Sequence, residues 1–508
     1  MNASTLLDTN LEAGRAEKPA LITADGTLTY GDVAALVART AAGLREAGIG
    51  REDRILLVLD DSPVFHAVFL GAIRIGAVPI PVNPMDRVDN YAYYLEDSYA
   101  KAVVVEGALL EGVESVVPDG VRVIVAHGDA GDPRAFDALV ADMPNELLAP
   151  ANTHDDDMAF WLYSSGSTGR PKGVVHTQRD IQVTVTNYAE NVLQITPEDL
   201  CYSSTKLFHA YGLGNGMTFP MAAGATAVQV RGPSKPDRIL ATIAEHHPTL
   251  FFSVPALYAA MLKAPTVRET DFSSVRACVS AAEALPAAVQ ARWQDVAGVP
   301  ILDGIGSTEM LHIYCSNTLE DLEPGTSGRP VPGYELRLVD EAGAPVGPGE
   351  AGNLLVKGDS CASYYWHQRE KTRNCMRGDW FFTGDRYRQT EAGHYVYEGR
   401  ADDMIKVGGL WVSPADVEAC LVNHPGVSEA AVIGVSVDDV SRIKAFVIAG
   451  GDAAPEPDEL REWCKERLRR YEFPHVIAFV DDFPRTPTGK IQRFKLRDAE
   501  RAAPAGGA

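Results

Sequence analysis

Tyr163-Ser164-Ser165-Gly166-Ser167-Thr168-Gly169-Arg170-Pro171-Lys172-Gly173 gathers three glycines, four Ser/Thr hydroxyls and two cations into eleven residues. The apolar run 158–163 before it reads as a buried strand, so this loop leaves a strand end. Glycine lets the backbone turn with positive φ and bring N–H groups close to an anion. The hydroxyls add donors, and Arg170 and Lys172 add charge. Such a loop suits phosphate. The nucleoside-triphosphatase pattern needs Gly-Lys-Ser/Thr, whereas Lys172 stands between Pro171 and Gly173. No G-x-G-x-x-G follows the strand, so a dinucleotide fold is excluded too. Taken alone, the string also reads as a solvated Gly/Ser turn.

Upstream, residues 20–30 read as two short strands around an Asp25-Gly26 turn, then a helix carrying Val33, Leu36, Val37, Thr40 and Leu44 on one face. Strands at 55–59, 78–82, 103–105 and 121–125 alternate with helical stretches such as 63–75. Downstream, a second series has strands at 201–204, 226–230, 250–253, 277–280 and 301–305 with helices at 237–246 and 286–296. From about Gly325 the pattern turns to short strands and Gly/Pro turns, at 334–339, 353–356, 380–383 and 395–397. The expected fold is α/β. A large N-terminal domain over 1–401, with two α/β sheet subdomains and a small β-barrel-like one, precedes a smaller, mobile α+β domain over 402–508.

At 508 residues the chain exceeds one ordinary domain. Its 46% hydrophobic and 23% charged residues fit a globular protein. A net charge of −23 argues against nucleic acid as a partner. Seven scattered cysteines without a C-x-x-C suggest neither a disulfide framework nor a zinc site. The start lacks a signal-peptide pattern and no apolar run reaches membrane-spanning length, so a cytoplasmic protein without membrane attachment is expected.

Four further strings carry chemistry. In Ile305-Gly306-Ser307-Thr308-Glu309, at a strand end, Thr308 can donate to a phosphate and Glu309 can hold Mg2+ against it. In Phe382-Thr383-Gly384-Asp385 a carboxylate suited to ribose hydroxyls closes a strand, although a capped turn is the plainer reading. Gly399-Arg400-Ala401-Asp402 offers a cation followed by an acid, and Pro484-Arg485-Thr486-Pro487-Thr488-Gly489-Lys490 presents one ammonium on a rigid loop.

Together with the opening loop, these strings closely resemble the adenylate-forming enzymes, which comprise acyl-CoA synthetases, peptide-synthetase adenylation domains and luciferases. The resemblance covers residues 20–497. It implies ATP contacts from Ser164, Ser165, Gly166, Ser167, Thr168, Gly169, Lys172, Ala281, Ala282, Glu283, Asp303, Gly304, Thr308, Asp385 and Arg400. It further implies Mg2+ at Glu309, a hinge at Asp402 and Lys490 over the reacting carboxylate and α-phosphate. One departure is Ala282, where the family usually has glycine; a positive φ there costs about 1 kcal/mol.

Phe208-His209-Ala210-Tyr211-Gly212-Leu213-Gly214-Asn215 contains no acid to pair with a substrate ammonium, which disfavours α-amino acids. This string and Asp303-Gly304-Ile305-Gly306-Ser307-Thr308-Glu309-Met310-Leu311-His312-Ile313 look like those of benzoate-CoA ligases. By that resemblance Ala210, Tyr211, Gly306 and Ile313 line a flat aromatic pocket, Lys406 lies near the carboxylate, and His209 gates the way to the thiol. Tyr211 is also a donor to a ring hydroxyl or amino group, so benzoate, hydroxybenzoate and aminobenzoate stay open.

Gly408 and Gly409 would let a pantetheine chain pass close to the backbone. Arg467, Arg469, Arg470, Arg493, Lys495 and Arg497 offer charge for coenzyme A phosphates or simply a solvated face. The expected activity is ATP- and Mg2+-dependent formation of an aryl-adenylate and its transfer to coenzyme A, by a monomer or homodimer. The competing readings are a ligase that loads a carrier protein and a non-catalytic nucleotide-binding protein.

Overall fold

The computed structural model describes every residue except 165–169, 402, 404, 408–409, 438–439, 451–453, 470–471, 486–490 and 503–508, and the side chains of 406, 410, 411, 437, 440, 441 and 502. The chain divides into two compact units. The first comprises 1–164, 171–335 and 356–381; the second comprises Arg170, 336–355 and the described part of 382–508.

In the first unit a four-stranded parallel sheet runs in the order Val78–Pro81, Arg54–Val58, Ala102–Glu106, Arg122–Ala126. Ile55, Leu56, Leu57 and Val58 are fully buried, as expected of a parallel sheet covered on both faces. The helix Tyr30–Glu46 starts at a capping box between Thr29 and Asp32, and Pro63–Arg74 starts under the Ser62 side chain with proline in its first turn.

A nine-stranded sheet has a parallel centre formed by Ile301–Gly306, Ala277–Ser280, Leu250–Ser253, Leu200–Ser203 and Thr226–Val228. Ile313–Ser316 and Arg329–Pro330 continue it antiparallel beyond Ile301–Gly306. The opening hairpin does not join the strands that follow it in sequence. Pro19–Thr23 instead lies parallel to Thr226–Val228, with Leu21 beside Ala227. Under this sheet Trp293 packs edge-on to Tyr258 and Phe272. A third sheet pairs Met158–Ser164 with Lys172–Thr177 and adds Tyr364–Tyr365.

The second unit contains the part of the strand Trp380–Gln389 from Phe382 on, paired antiparallel with Tyr395–Arg400. It also contains the sheet Val427–Val437, Val440–Ala449, Val476–Phe479, with helices Pro414–Val422, Pro457–Arg467 and Arg493–Ala502. Val432, Ile443, Ala445, Val447 and Leu460 are almost completely buried within it. The architecture is therefore α/β with a smaller α+β portion toward the C-terminus, as expected. Among the described residues no helix is long and apolar enough to cross a membrane, and all seven cysteines are free.

Candidate active site

The hairpin of Met158–Ser164 and Lys172–Thr177 sets Ser164 opposite Lys172, so the two ends of the glycine-rich loop are held side by side. Ser164 Oγ is shielded and has no hydrogen-bond partner among the described residues, as befits a donor kept for a ligand. Lys172 Nζ sits 5.2 Å from the Tyr365 ring centre, and the Tyr365 hydroxyl donates to Glu309 Oε1 at 2.7 Å. The Lys172 cation and the Glu309 carboxylate thus share one aromatic support.

The turn bearing Thr308 and Glu309 follows the strand Ile301–Gly306. Ser307 Oγ accepts from Met310 N at 3.2 Å, and the Glu309 carbonyl accepts from Ala362 N at 2.7 Å. The Met310 carbonyl accepts from Ser360 Oγ at 2.8 Å. Leu311 then takes φ +65°, a left-handed backbone that costs a branched residue about 1–3 kcal/mol and persists where neighbours fix it. Glu309 is a half-buried carboxylate, and the described residues contain no cluster of three or more metal-ligating side chains. A single carboxylate oxygen donor is a ligand type that fits Mg2+, which binds through one or two carboxylates, water and substrate phosphates.

His209 is half-buried and caps a helix that runs as Ala210–Leu213, a π-helical turn at Gly214–Thr218, and Phe219–Ala223. π-turns of this kind cluster at functional sites. Tyr211 packs at 5.5 Å against His312, the rings tilted by 37°, and His312 Nε2 is 3.1 Å from Asn215 Oδ1. A Cβ on Gly214 would lie 2.5 Å from the His312 ring, so glycine is what admits this ring. His312 adjoins Ile313, which pairs with Gly306. Ala210, Tyr211, Gly306 and Ile313 are thereby linked through His312, a residue that the sequence reading passed over. Burial pushes the His312 imidazole down to about 3 and the Tyr211 phenol well above its ordinary range, so this wall carries no charge near neutrality. The Tyr211 hydroxyl donates to the Val279 carbonyl at 3.1 Å. Its proton is directed at this backbone acceptor, while the phenol oxygen keeps its capacity to accept.

The segment entering that helix is anchored by ions. Lys206 Nζ lies 2.9 Å from Asp60 Oδ1, 3.6 Å from Asp61 Oδ2 and 2.6 Å from the Val230 carbonyl. Asp61 Oδ1 accepts from Leu207 N at 2.9 Å, and the Lys206 carbonyl accepts from His209 N at 3.0 Å. Burial pushes Asp61 up to about 6 against the pull of Lys206.

Ala282 adopts φ +78°, the strained backbone foreseen where glycine is usual. Ala282→Gly is expected to stabilise the protein by about 1 kcal/mol, read as a higher urea midpoint at unchanged slope. Asp303 is buried, which drives its carboxyl well above the usual range, and Ala281 is buried beside Ala282. Glu283 is half-buried, and Gly304 is paired with Ser316.

In the second unit Asp385 and Arg400 are cross-strand partners, with Arg400 Nη1 donating to Asp385 Oδ1 and to the Thr383 carbonyl, both at 3.1 Å. Asp403 is bonded to Arg497 Nη1 at 2.6 Å, and Arg493 holds Glu418 through two bonds of 3.0 and 2.6 Å. Arg467 stacks at 3.5 Å on Trp463 and pairs with Glu466. Arg467, Arg493 and Arg497 thus have acidic partners within this unit, while Arg470 lies outside the described residues. Ser165, Gly166, Ser167, Thr168, Gly169, Asp402, Gly408, Gly409 and Lys490, and the side chain of Lys406, lie outside the described residues.

The hairpin at Ser164 and Lys172, the Thr-Glu turn at a strand end and the Asp385–Arg400 pair fall on the strings by which the sequence resembles the adenylate-forming enzymes. Residues 8–366 match the AMP-binding enzyme family and residues 416–490 its C-terminal domain, so the chain belongs to that family. It is 45% identical over 507 residues to the benzoate–CoA ligase of Thauera aromatica, covering 98% of this chain and 95% of that one. A benzoate CoA ligase structure from Burkholderia xenovorans LB400 matches with TM-score 0.91 and 44% identity, over 98% of this chain and 100% of that one. An anthranilate CoA ligase in complex with anthranoyl-AMP matches with TM-score 0.94 and 37% identity, over 100% and 98%.

Proposed function

We propose that this chain is an AMP-forming arylcarboxylate–CoA ligase whose best acid is benzoate. The observation that carries the reading is the uncharged aromatic wall where Tyr211 meets His312, in a chain that matches benzoate–CoA ligases along its length. With its proton directed to Val279, Tyr211 offers a ring substituent an acceptor and no donor, which gives a ring hydroxyl little advantage over the unsubstituted ring.

The acid's carboxylate attacks the α-phosphorus of ATP and pyrophosphate leaves; the thiol of coenzyme A then displaces AMP from the mixed anhydride. Positioning and electrostatics suffice, without a protein nucleophile. Ser164, the loop 165–169 and Lys172 hold the phosphates; Thr308 donates to the α-phosphate. Ala281, Ala282, Glu283, Asp303 and Gly304 border the base, while Asp385 and Arg400 take the ribose. Mg2+ held by Glu309 would neutralise phosphate charge. Lys406 and Lys490 face the carboxylate, His209 stands before the thiol path lined by Gly408 and Gly409, and Asp402 is the hinge between 1–401 and 402–508.

Pyrophosphate exchange across a panel of acids, followed by coenzyme A, tests this. Benzoate should outpace amino acids and fatty acids, and a thioester should form. Palmitate or phenylalanine ahead of every benzoate would overturn the pocket. Tyr211→Ala should raise KM for the acid about 10–100-fold, the value of one ring contact, with KM for ATP nearly unchanged.

A further inference from the structure

The proposed chemistry makes no use of His176, a fully buried ring in the strand Lys172–Thr177 that follows the phosphate loop. It stacks on Phe160 at 5.2 Å. Its Nδ1 is 2.8 Å from Asp180 Oδ2, and its Nε2 is 2.8 Å from the carbonyl of Thr308. A carbonyl can only accept, so Nε2 is the donor to Thr308. Asp180, equally buried, is fixed by Thr177 N at 3.0 Å and Thr177 Oγ1 at 2.6 Å. The Thr308 carbonyl also accepts from Leu311 N at 3.1 Å, closing the turn in which Leu311 takes its left-handed backbone. A buried ring N–H, oriented by a buried carboxylate, therefore bears on the carbonyl that closes this strained turn.

We propose that His176 and Asp180 are positioning residues for adenylation: they clamp the Thr308 carbonyl from the phosphate-loop strand and thereby set Thr308 and Glu309 for the α-phosphate. This rests on the reading of Thr308 and Glu309 given under the proposed function. A buried carboxylate with a hydroxyl and an amide already on it keeps the ring turned so that Nε2 faces the turn.

The test compares two replacements that remove the ring alike. His176→Gln retains a donor near Nε2, and His176→Asn retains one only near Nδ1. Both lose the stack on Phe160 and both lower Tm. The clamp predicts that His176→Asn slows pyrophosphate exchange about 10–100-fold at saturating acid and ATP, while His176→Gln stays within about threefold of wild type. It also predicts faster deuterium uptake in a peptide spanning 307–313 for His176→Asn alone, because the Leu311 amide loses its closed turn. Equal rates and equal uptake in the two folded variants would overturn the clamp. If wild type exchanges with no aryl acid, the functional reading fails by itself, and the uptake comparison still decides whether His176 holds the turn.

Discussion

Lys490→Ala is expected to slow acyl-adenylate formation by about 10²–10³-fold, the usual loss when one preorganised charge leaves a transition state. The same variant should still convert a supplied aryl-adenylate and coenzyme A to thioester. Lys490 lies in a Pro/Thr/Gly string whose flanks are held together: Arg485 bridges Ile491, and Gln492 N donates to the Pro484 carbonyl at 2.7 Å. A single ammonium carried on so short a segment has one place to act at a time. In adenylation, negative charge gathers on the α-phosphate as the carboxylate attacks, and the cation lowers that barrier. In thiol transfer the phosphate departs as AMP from an anhydride already made, so far less depends on the same charge. Pyrophosphate exchange reads the first step, and thioester absorbance from synthetic benzoyl-adenylate reads the second. Equal loss of both in folded Lys490→Ala would mean that one fixed arrangement serves the whole reaction.

The parts of this architecture that were legible in the sequence are those written locally. The periodicity of Val33, Val37 and Leu44 marks the helix Tyr30–Glu46, and the Ser-Thr-Glu string falls at the end of a parallel strand, where its turn is found. Ala282 was readable as well, because a side chain in place of a usual glycine implies a strained φ, and φ +78° is what the backbone adopts.

What escaped depends on contacts between distant segments. His176, Ser360, Ala362 and Tyr365 converge on the turn at Thr308–Met310, yet none sits in a string that marks it as anything but an ordinary strand or loop residue. His312 and Asn215 meet across Gly214; the spacing of Gly212, Gly214 and Gly216 was the available signal, since small residues at alternate positions of a helix announce a close neighbour. The hairpin at Pro19–Thr23 joins a sheet whose partner strand lies far along the chain, and alternation of strands and helices is blind to that pairing.

Gly212→Ala is expected to cut kcat/KM for the aryl acid by about 10²-fold or more while leaving ATP binding measurable at near wild-type affinity. A Cβ at this position would stand 2.0 Å from the Lys206 carbonyl oxygen and 2.7 Å from that of Thr205, both backbone atoms. The conflict cannot be relieved on the Lys206 side. That residue is tied to Asp60 at 2.9 Å and to the Val230 carbonyl at 2.6 Å, and its neighbour Leu207 is tied to Asp61 at 2.9 Å. Breaking such a buried set costs about 3–5 kcal/mol, more than the 1–3 kcal/mol of shifting an overpacked helix start. The helix start must therefore yield, and it carries His209, Ala210 and Tyr211. Tyr211 would then leave His312 and the Val279 carbonyl, and the aromatic wall would open. The Thr308–Glu309 turn is held by other residues, so nucleotide binding should survive. Gly347→Ala is the control: a Cβ there meets nothing within 4 Å, and both KM values should stay as they are. Isothermal titration with ATP and steady-state kinetics with benzoate separate the two effects. A Gly212→Ala enzyme with unchanged benzoate KM and rate would show that this segment moves freely and that the ion set does not fix the pocket.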